Sequence, residues 1–215
     1  MSIEDKKQLV WYLYPEYRNK EFEIVRLEDM NADYFTLQEL QRGFGGIIIG
    51  DNGTYLTCGS LYPLSYYIEE FKKGNVRKAL KINEKYIFDE NELINLIKEG
   101  INPLEYIRNK DDINFISYAI TKDTQSIDPF WDDMANTLLK AIINYLLASR
   151  KEDKSLKRCL EISKLGLNKA ELSDLFYSLD DTETISLFKQ IESAPDKTYK
   201  SIVDTLNEKL SKLIN

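Results

Sequence analysis

DPFWDDMANTLLKAIINYLL, which runs from Asp128 to Leu147, is the longest apolar helical stretch of the chain and decides the fold class. Asp is a favoured helix N-cap, and Pro129 suits the first helical position because the N–H that proline lacks has no intrahelical partner there. Apolar residues then recur three and four apart, as on one face of a helix. We predict a helix over residues 128 to 149. Its predicted buried residues are Phe130, Trp131, Leu138, Leu139, Ile142, Ile143, Leu146 and Leu147.

The segments around this helix show the same periodicity. Residues 111 to 121 begin with two carboxylates, which are favourable at the positive end of a helix dipole. A last helix is expected from Asp196, as its N-cap, to about Leu213. The fold class predicted is mainly α, with a bundle of about six or seven helices in residues 102–215. The other predicted helices cover residues 64–73, 89–99, 153–164, 168–178 and 181–193.

The first hundred residues mix strand and helix signals. Ile47 to Ile49 and Thr54 to Thr57 flank a Gly-Asp-Asn-Gly turn, which predicts a β-hairpin. Residues 21 to 27 alternate weakly and predict a strand. Thr36 to Gln41 predicts a short helix, because Thr36 and the glutamate three residues later match a capping box.

These signals divide the chain of 215 residues into two parts. Residues 1–100 form a small α+β segment that contains the hairpin, and residues 101–215 form an all-α domain. The first ten residues carry both signs of charge, and no apolar run approaches the ~18 residues of a membrane span, so we expect no signal peptide and no membrane insertion.

The composition excludes several classes of function. The sequence has no His, which removes a Ser-His triad and the commonest metal ligand. The net charge of -7 opposes binding to a polyanion. Cys58 and Cys159 are far apart in sequence and indicate reduced thiols in a cytosolic protein. Cations around Cys159 could lower its pKa, but no base is apparent and we expect a buried thiol.

Nucleotide-binding motifs are absent from the sequence. No glycine-rich loop is followed by Lys-Ser or Lys-Thr, which would contact the phosphates in a motor protein. In the string GFGGII, Ile48 occupies the position of the last glycine in a dinucleotide-binding loop. The paired carboxylates at 111, 132 and 180 each begin a predicted helix, which explains them without catalysis. We predict no catalytic residue, no cofactor and no metal site.

Two sets of side chains are candidates for binding a partner. A basic strip could hold DNA or an acidic partner, whereas solvated helix faces are the usual place for such cations. The tyrosines of the first third suit either a surface for another chain or the core of a small domain. For Phe130 and Trp131 we favour the core over a docking role. The basic candidates are Lys154, Lys157, Arg158, Lys164, Lys197 and Lys200, and the tyrosines are Tyr12, Tyr14, Tyr17, Tyr62, Tyr66 and Tyr67.

Three strings, in order, resemble the all-α domain of the TraG/TraD family of type IV secretion coupling proteins. They are NPLEYI from Asn102 to Ile107, the Asp-Pro-Phe-Trp helix, and SLFKQIESAPDKTYKSIVDTLNEKL from Ser186 to Leu210. FTLQELQRGFGGIIIG with GTYLTC is similar, more loosely, to the strand pair before the nucleotide-binding loop of that family. Walker A and Walker B are missing here, so residues 1–100 resemble a truncated remnant of the motor core.

The resemblance implies a non-catalytic module that recognises a relaxase, a relaxosome accessory protein or a secreted effector. It implies a cytoplasmic protein, brought to the cytosolic face of the membrane by a secretion complex, and a monomer or weak dimer because hexamers of the family are built by the motor core. The alternatives are a helical module that binds DNA directly, a cryptic nucleotide hydrolase that needs partner subunits, and a generic helical regulator of protein interactions.

Overall fold

The computed structural model describes residues 1–18, 20–37, 44–83, 85–122 and 128–214. The chain forms two compact units, Met1–Phe88 and Asp89–Asn215. The mainly α prediction is confirmed: the described residues contain nine α-helices, of which six lie in the predicted bundle of residues 102–215. They also contain a five-stranded antiparallel sheet where the sequence predicted one hairpin and one further strand.

The first unit is built on that sheet, in the order β1-β2-β3-β4-β5, and a separate hairpin pairs β6 with β7. Single 3-10 turns lie at Pro15–Tyr17 and Glu28–Met30. The elements are α1 (Ile3–Leu13), β1 (Phe22–Leu27), β2 (Ala32–Leu37), β3 (Ile47–Gly50), β4 (Thr54–Thr57), α2 (Leu64–Lys72), β5 (Arg77–Lys78), β6 (Leu80–Ile82) and β7 (Lys85–Ile87).

The predicted hairpin is confirmed as β3 and β4, and the weak strand at 21–27 is confirmed as β1. The helix predicted from Thr36 is wrong at its start, because Thr36 lies in β2 opposite Glu23 of β1. Pairing with β1 at Thr36, and with β3 as far as Phe35, outweighs the local capping signal. Residues 38–41 of that predicted helix lie outside the described residues.

Both faces of the sheet are covered by a helix. On one face Leu9 and Val10 of α1 pack against Phe35, Ile47 and Ile49. On the other, α2 packs against a cluster of Ala32, Ile48 and Cys58. This arrangement explains why three consecutive isoleucines of β3 are all buried, since a strand covered on both faces has no solvated side.

A network of four charged side chains connects α1 to the sheet. The Nζ atom of Lys6 lies 2.5 Å from Asp33 Oδ2 and 2.5 Å from Asp51 Oδ1, and the Lys6 side chain is only 1% exposed. Arg26 Nη2 lies 2.8 Å from Asp51 Oδ2, and its Nη1 lies 3.3 Å from Asp33 Oδ2. Two cations and two carboxylates balance, which is the condition for burying charge at this site.

Hydrogen bonds from Arg26, and then from Lys6, hold the pKa of Asp51 well below its usual range. A carboxylate with a depressed folded-state pKa contributes stability that is present above its unfolded pKa of about 3.9 and is lost as the pH falls. We expect the free energy of unfolding of the first unit to fall between about pH 5 and about pH 2, and to fall less steeply in Asp51→Asn. Urea titrations at a series of pH values measure both slopes; parallel slopes would contradict this.

The second unit consists of helices. Helix α5 lies at its centre and packs against α4, α6, α8 and α9, while α3 packs against α4 and α9. A 3-10 turn at Pro103–Tyr106 separates α3 from α4. The helices are α3 (Glu90–Lys98), α4 (Lys110–Thr121), α5 (Pro129–Ala148), α6 (Leu156–Leu165), α7 (Lys169–Tyr177), α8 (Thr182–Glu192) and α9 (Asp196–Ile214).

The ends of these helices agree closely with the sequence signals. Asp128 caps α5 by accepting a hydrogen bond from the N–H of Phe130 at 3.0 Å, and Pro129 follows at the first position. The prediction for Asp196 is wrong in detail, because it is the first residue of α9 and not its cap. Leu138, Leu139, Ile142, Ile143 and Leu146 are buried as predicted.

The predicted buried face of α5 is wrong at Phe130, whose side chain is 44% exposed. The ring packs edge-on against the half-buried Trp131, with 5.1 Å between ring centroids. Asp132 of the same turn faces α9 through its ion pair with Lys209, whereas Phe130 lies on the solvent side of this turn, so periodicity alone does not ensure its burial.

Candidate functional site

Five of the six predicted basic residues lie on two helices that pack against each other, α6 and α9, and the sixth, Lys154, precedes α6. A Cβ added at Gly166, which follows α6, would lie 3.2 Å from Val203 of α9. The C-terminal end of α6, which carries Lys164, therefore meets the half of α9 that carries Lys197 and Lys200. We call these three lysines the α6–α9 lysines.

The α6–α9 lysines are exposed and form no ion pair with any other residue that the structure describes. The opposite faces of both helices are buried, through Cys159 and Ile162 on α6 and Ile202 and Leu206 on α9. Packing thus fixes these helices and leaves three cationic side chains pointing to solvent. Such lysines offer unpaired charge to a partner without the loss of an existing contact.

The other three predicted residues fall elsewhere. Lys154 precedes α6, and its carbonyl oxygen accepts a hydrogen bond of 2.7 Å from the side chain of Asn102. Lys157 lies in the first turn of α6, about 10 Å along the helix axis from Lys164. Arg158 donates to Glu152 at 2.7 Å and to Glu161 at 3.0 Å, so its charge is already paired.

The second unit as a whole is acidic, so the α6–α9 lysines lie in a unit of net negative charge. Its residues 89–215 hold 17 Lys and Arg and 23 Asp and Glu, a net charge of -6, whereas residues 1–88 carry a net charge of -1. Asp196 and Asp204 share α9 with the lysines and dilute the local charge. A nucleic acid would meet an unfavourable field over most of this unit.

The tyrosines of the first third divide between core and surface. Tyr17 is 8% exposed and belongs to the core. Tyr62 and Tyr66 are 51% and 43% exposed, and their rings stack with 4.5 Å between centroids. Leu61 beside them is 81% exposed. The core interpretation thus applies to Tyr17, whereas Tyr62 and Tyr66 lie at the surface.

The paired carboxylates have structural partners. Asp112 accepts hydrogen bonds from the backbone N–H groups of Arg108 and Asn109 and completes a capping box at the start of α4. Asp132 lies 2.8 Å from Lys209, an ion pair that joins α5 to α9. Asp181 caps α8 through the N–H of Thr184. Helix capping and helix pairing account for these three groups.

Neither thiol is suited to be a nucleophile. Burial raises the pKa of Cys58 to about 12. Cys159 is fully buried, and burial raises the pKa of its thiol as well, so the neighbouring cations do not activate it. The prediction of a buried thiol at position 159 is confirmed.

We expect both cysteines to react slowly with a thiol reagent in the native chain. A pKa of about 12 leaves about one Cys58 in ten thousand as thiolate at about pH 8, against roughly one in four for a free cysteine. Ellman's reagent should therefore react rapidly only in denaturant. Rapid release of one equivalent of thionitrobenzoate by the folded chain would show that one thiol is exposed and activated.

Within the described ranges, no group of three or more Cys, Asp or Glu side chains is arranged to hold a metal ion. Also within these ranges, no helix combines the length and apolar character needed to cross a membrane. Comparisons with models of protein families, with curated proteins and with solved structures find no match to the chain.

Proposed function

We propose that the chain is a non-catalytic recognition module that binds another protein through the α6–α9 lysines. The observation that carries the proposal is the exposure of these three unpaired cations on two packed helices of an otherwise acidic unit. The partner class follows from the resemblance to TraG/TraD coupling proteins: a relaxase, a relaxosome accessory protein or a secreted effector. Such a partner would present an acidic surface or tail to this site.

Two further observations support the proposal. Helix α5, which contains the Asp-Pro-Phe-Trp string of the resemblance, is the central helix of the second unit. Asn102, from the string NPLEYI, caps the 3-10 turn at Pro103–Tyr106 and also binds the segment before α6. The strings that suggest the family are thus the ones that organise this unit. A cytoplasmic monomer or weak dimer without a cofactor is part of the same proposal.

A charge-reversal experiment tests it. The purified chain and the triple variant Lys164→Glu, Lys197→Glu, Lys200→Glu are used as bait in lysate of cells that carry the parent mobile element. We expect the wild-type chain to retain a DNA-processing protein or an effector, and the variant to bind it at least about tenfold more weakly, equivalent to about 1.4 kcal/mol. Mass spectrometry identifies the proteins, and titration with the purified partner gives the affinities.

The matched control reverses three other exposed lysines of the same unit, Lys98→Glu, Lys151→Glu and Lys189→Glu, and is expected to bind like the wild type. An equal loss of affinity in both triple variants would mean that binding depends only on the total charge of the chain. The proposal would be refuted if the wild-type chain, shown to be folded, retained no protein above background. If DNA is the ligand instead, affinity for a labelled duplex falls steeply between about 50 and 200 mM salt.

A further inference from the structure

Strand β1 has one unpaired edge. It is the first strand of the sheet, and in the described part of the chain only β2 pairs with it. The N–H of Asp51 donates to the carbonyl of Asn31 at 2.8 Å, which makes Asn31 and Asp51 a hydrogen-bonded pair. Since such pairs alternate along antiparallel strands, the odd residues of β2 bond to β3 and its even residues bond to β1.

That alternation determines which groups of β1 point outward. Glu23, Val25 and Leu27 are opposite the even residues of β2 and bond to them. Phe22, Ile24 and Arg26 therefore direct their N–H and C=O groups away from the sheet. The register with β2 continues without interruption over six residues, and β1 contains no proline, so the edge is regular and open to a further strand.

A groove runs beside this edge. It has a volume of about 310 Å³ and lies between α1, which contributes Lys7 and Trp11, and the segment Lys20 to Ile24. The indole N–H of Trp11 is buried and has no hydrogen-bond partner in the described residues. Lys7 and Lys20 form no ion pair with a described residue. Glu21 is the one acidic residue of the lining, so cations predominate.

We propose that an extended acidic segment of a partner protein binds here as a sixth strand, paired with the outer edge of β1. Its backbone would hydrogen-bond to Phe22, Ile24 and Arg26. Alternate side chains would enter the groove, with apolar ones against Trp11 and carboxylates against Lys7 and Lys20. Lys7 and Trp11 are one helical turn apart, a spacing close to that of alternate side chains of a strand.

Charge selects this occupant over a second copy of the chain. A second copy paired through β1 would bring its own Lys7 and Lys20 to the interface and add like charges. The proposal rests on the proposed function only in that the chain recognises proteins. The groove lies in the first unit and involves none of the α6–α9 lysines, so the two binding sites succeed or fail independently.

A peptide selection tests the groove. A phage library of random peptides of about twelve residues is selected on the full-length chain, and enriched peptides are synthesised with a fluorescent label. We expect Asp or Glu to alternate with apolar residues, and affinity to fall at least about tenfold in Lys7→Glu, Lys20→Glu. The control, Lys72→Glu with Lys73→Glu, reverses the last residue of α2 and its C-cap. Helix α2 covers the opposite face of the sheet, so this variant should bind normally.

Backbone methylation of the peptide shows whether it binds as a strand. N-methyl groups on one alternate set of amides should abolish binding, and those on the other set should not, because only one set faces β1. Three results would overturn the proposal: no enrichment on the folded chain, equal binding to both double variants, or a stable dimer of the chain alone that excludes the peptide.

Discussion

Replacing Lys6 with Met is expected to lower the free energy of unfolding of the first unit by about 3–5 kcal/mol. The Lys6 ammonium is buried and is the nearest cation to Asp33, whose side chain is 5% exposed. Without Lys6, Asp33 keeps only the longer contact of 3.3 Å with Arg26. A carboxylate that has lost its main counter-ion but cannot reach water accounts for the size of the effect.

Lys7→Met provides the matched control. The residue is adjacent in sequence, is half-buried, and forms no ion pair among the described residues, so we expect a change of at most about 0.5 kcal/mol. Urea unfolding is followed by the fluorescence of Trp11 in a Trp131→Phe background, so that only the first unit is observed. Similar losses in the two variants would show that the buried network contributes little.

Phe188→Ala is expected to destabilise the second unit by about 3–5 kcal/mol. Phe188 is fully buried on α8, and its ring packs edge-on against Phe176 of α7 with 5.0 Å between centroids. Phe176 in turn lies 5.6 Å from the ring of Tyr145 on α5. Removing the ring leaves a cavity where three helices meet, and close packing prevents its collapse.

Phe130→Ala removes the same side chain from a position that is 44% exposed, and we expect a loss of about 1 kcal/mol or less. Native-state hydrogen exchange at the amides of α5 gives the unfolding free energy of this unit for both variants. A larger loss at position 130 than at 188 would restore the interpretation of Phe130 as a core residue.

The helices were predictable because their signals are local. Asp128 and Pro129 mark the start of α5 through the geometry of its first turn, and the spacing of Leu138, Leu139 and Ile142 marks its buried face. Burial at the end of a helix depends instead on where neighbouring helices cross it. The periodicity of α5 therefore predicted Phe130 wrongly while it predicted the middle of the helix correctly.

Features that depend on distant parts of the chain were missed. Thr36 carries a local helix signal, but pairing with β1 and β3 places this segment in the sheet. Lys6 looks like an ordinary exposed lysine of a helix, and nothing local shows that Asp33 and Asp51 meet it. The groove beside β1 is likewise invisible in the sequence, because α1 and β1 form it together.

The candidate site was also predictable only in its local features. Exposure of Lys164, Lys197 and Lys200 follows from the amphipathic pattern of α6 and α9. The pairing of Arg158 with Glu152 required the path of the chain before α6, which is irregular and carries no periodic signal. That Lys164 lies at the end of α6 nearest to Lys197 and Lys200 of α9 likewise follows only from the contact between Gly166 and Val203.

Site-specific photo-crosslinking in cells that naturally express the chain tests most directly whether the α6–α9 lysines contact a protein. A photoreactive phenylalanine analogue is placed at Lys197, and in a control at Lys189, which is exposed on α8. We expect position 197 to crosslink to a relaxase, a relaxosome accessory protein or a secreted effector, and position 189 to give no such product. Equal crosslinking at both positions, or no protein product at 197, would contradict recognition through this surface.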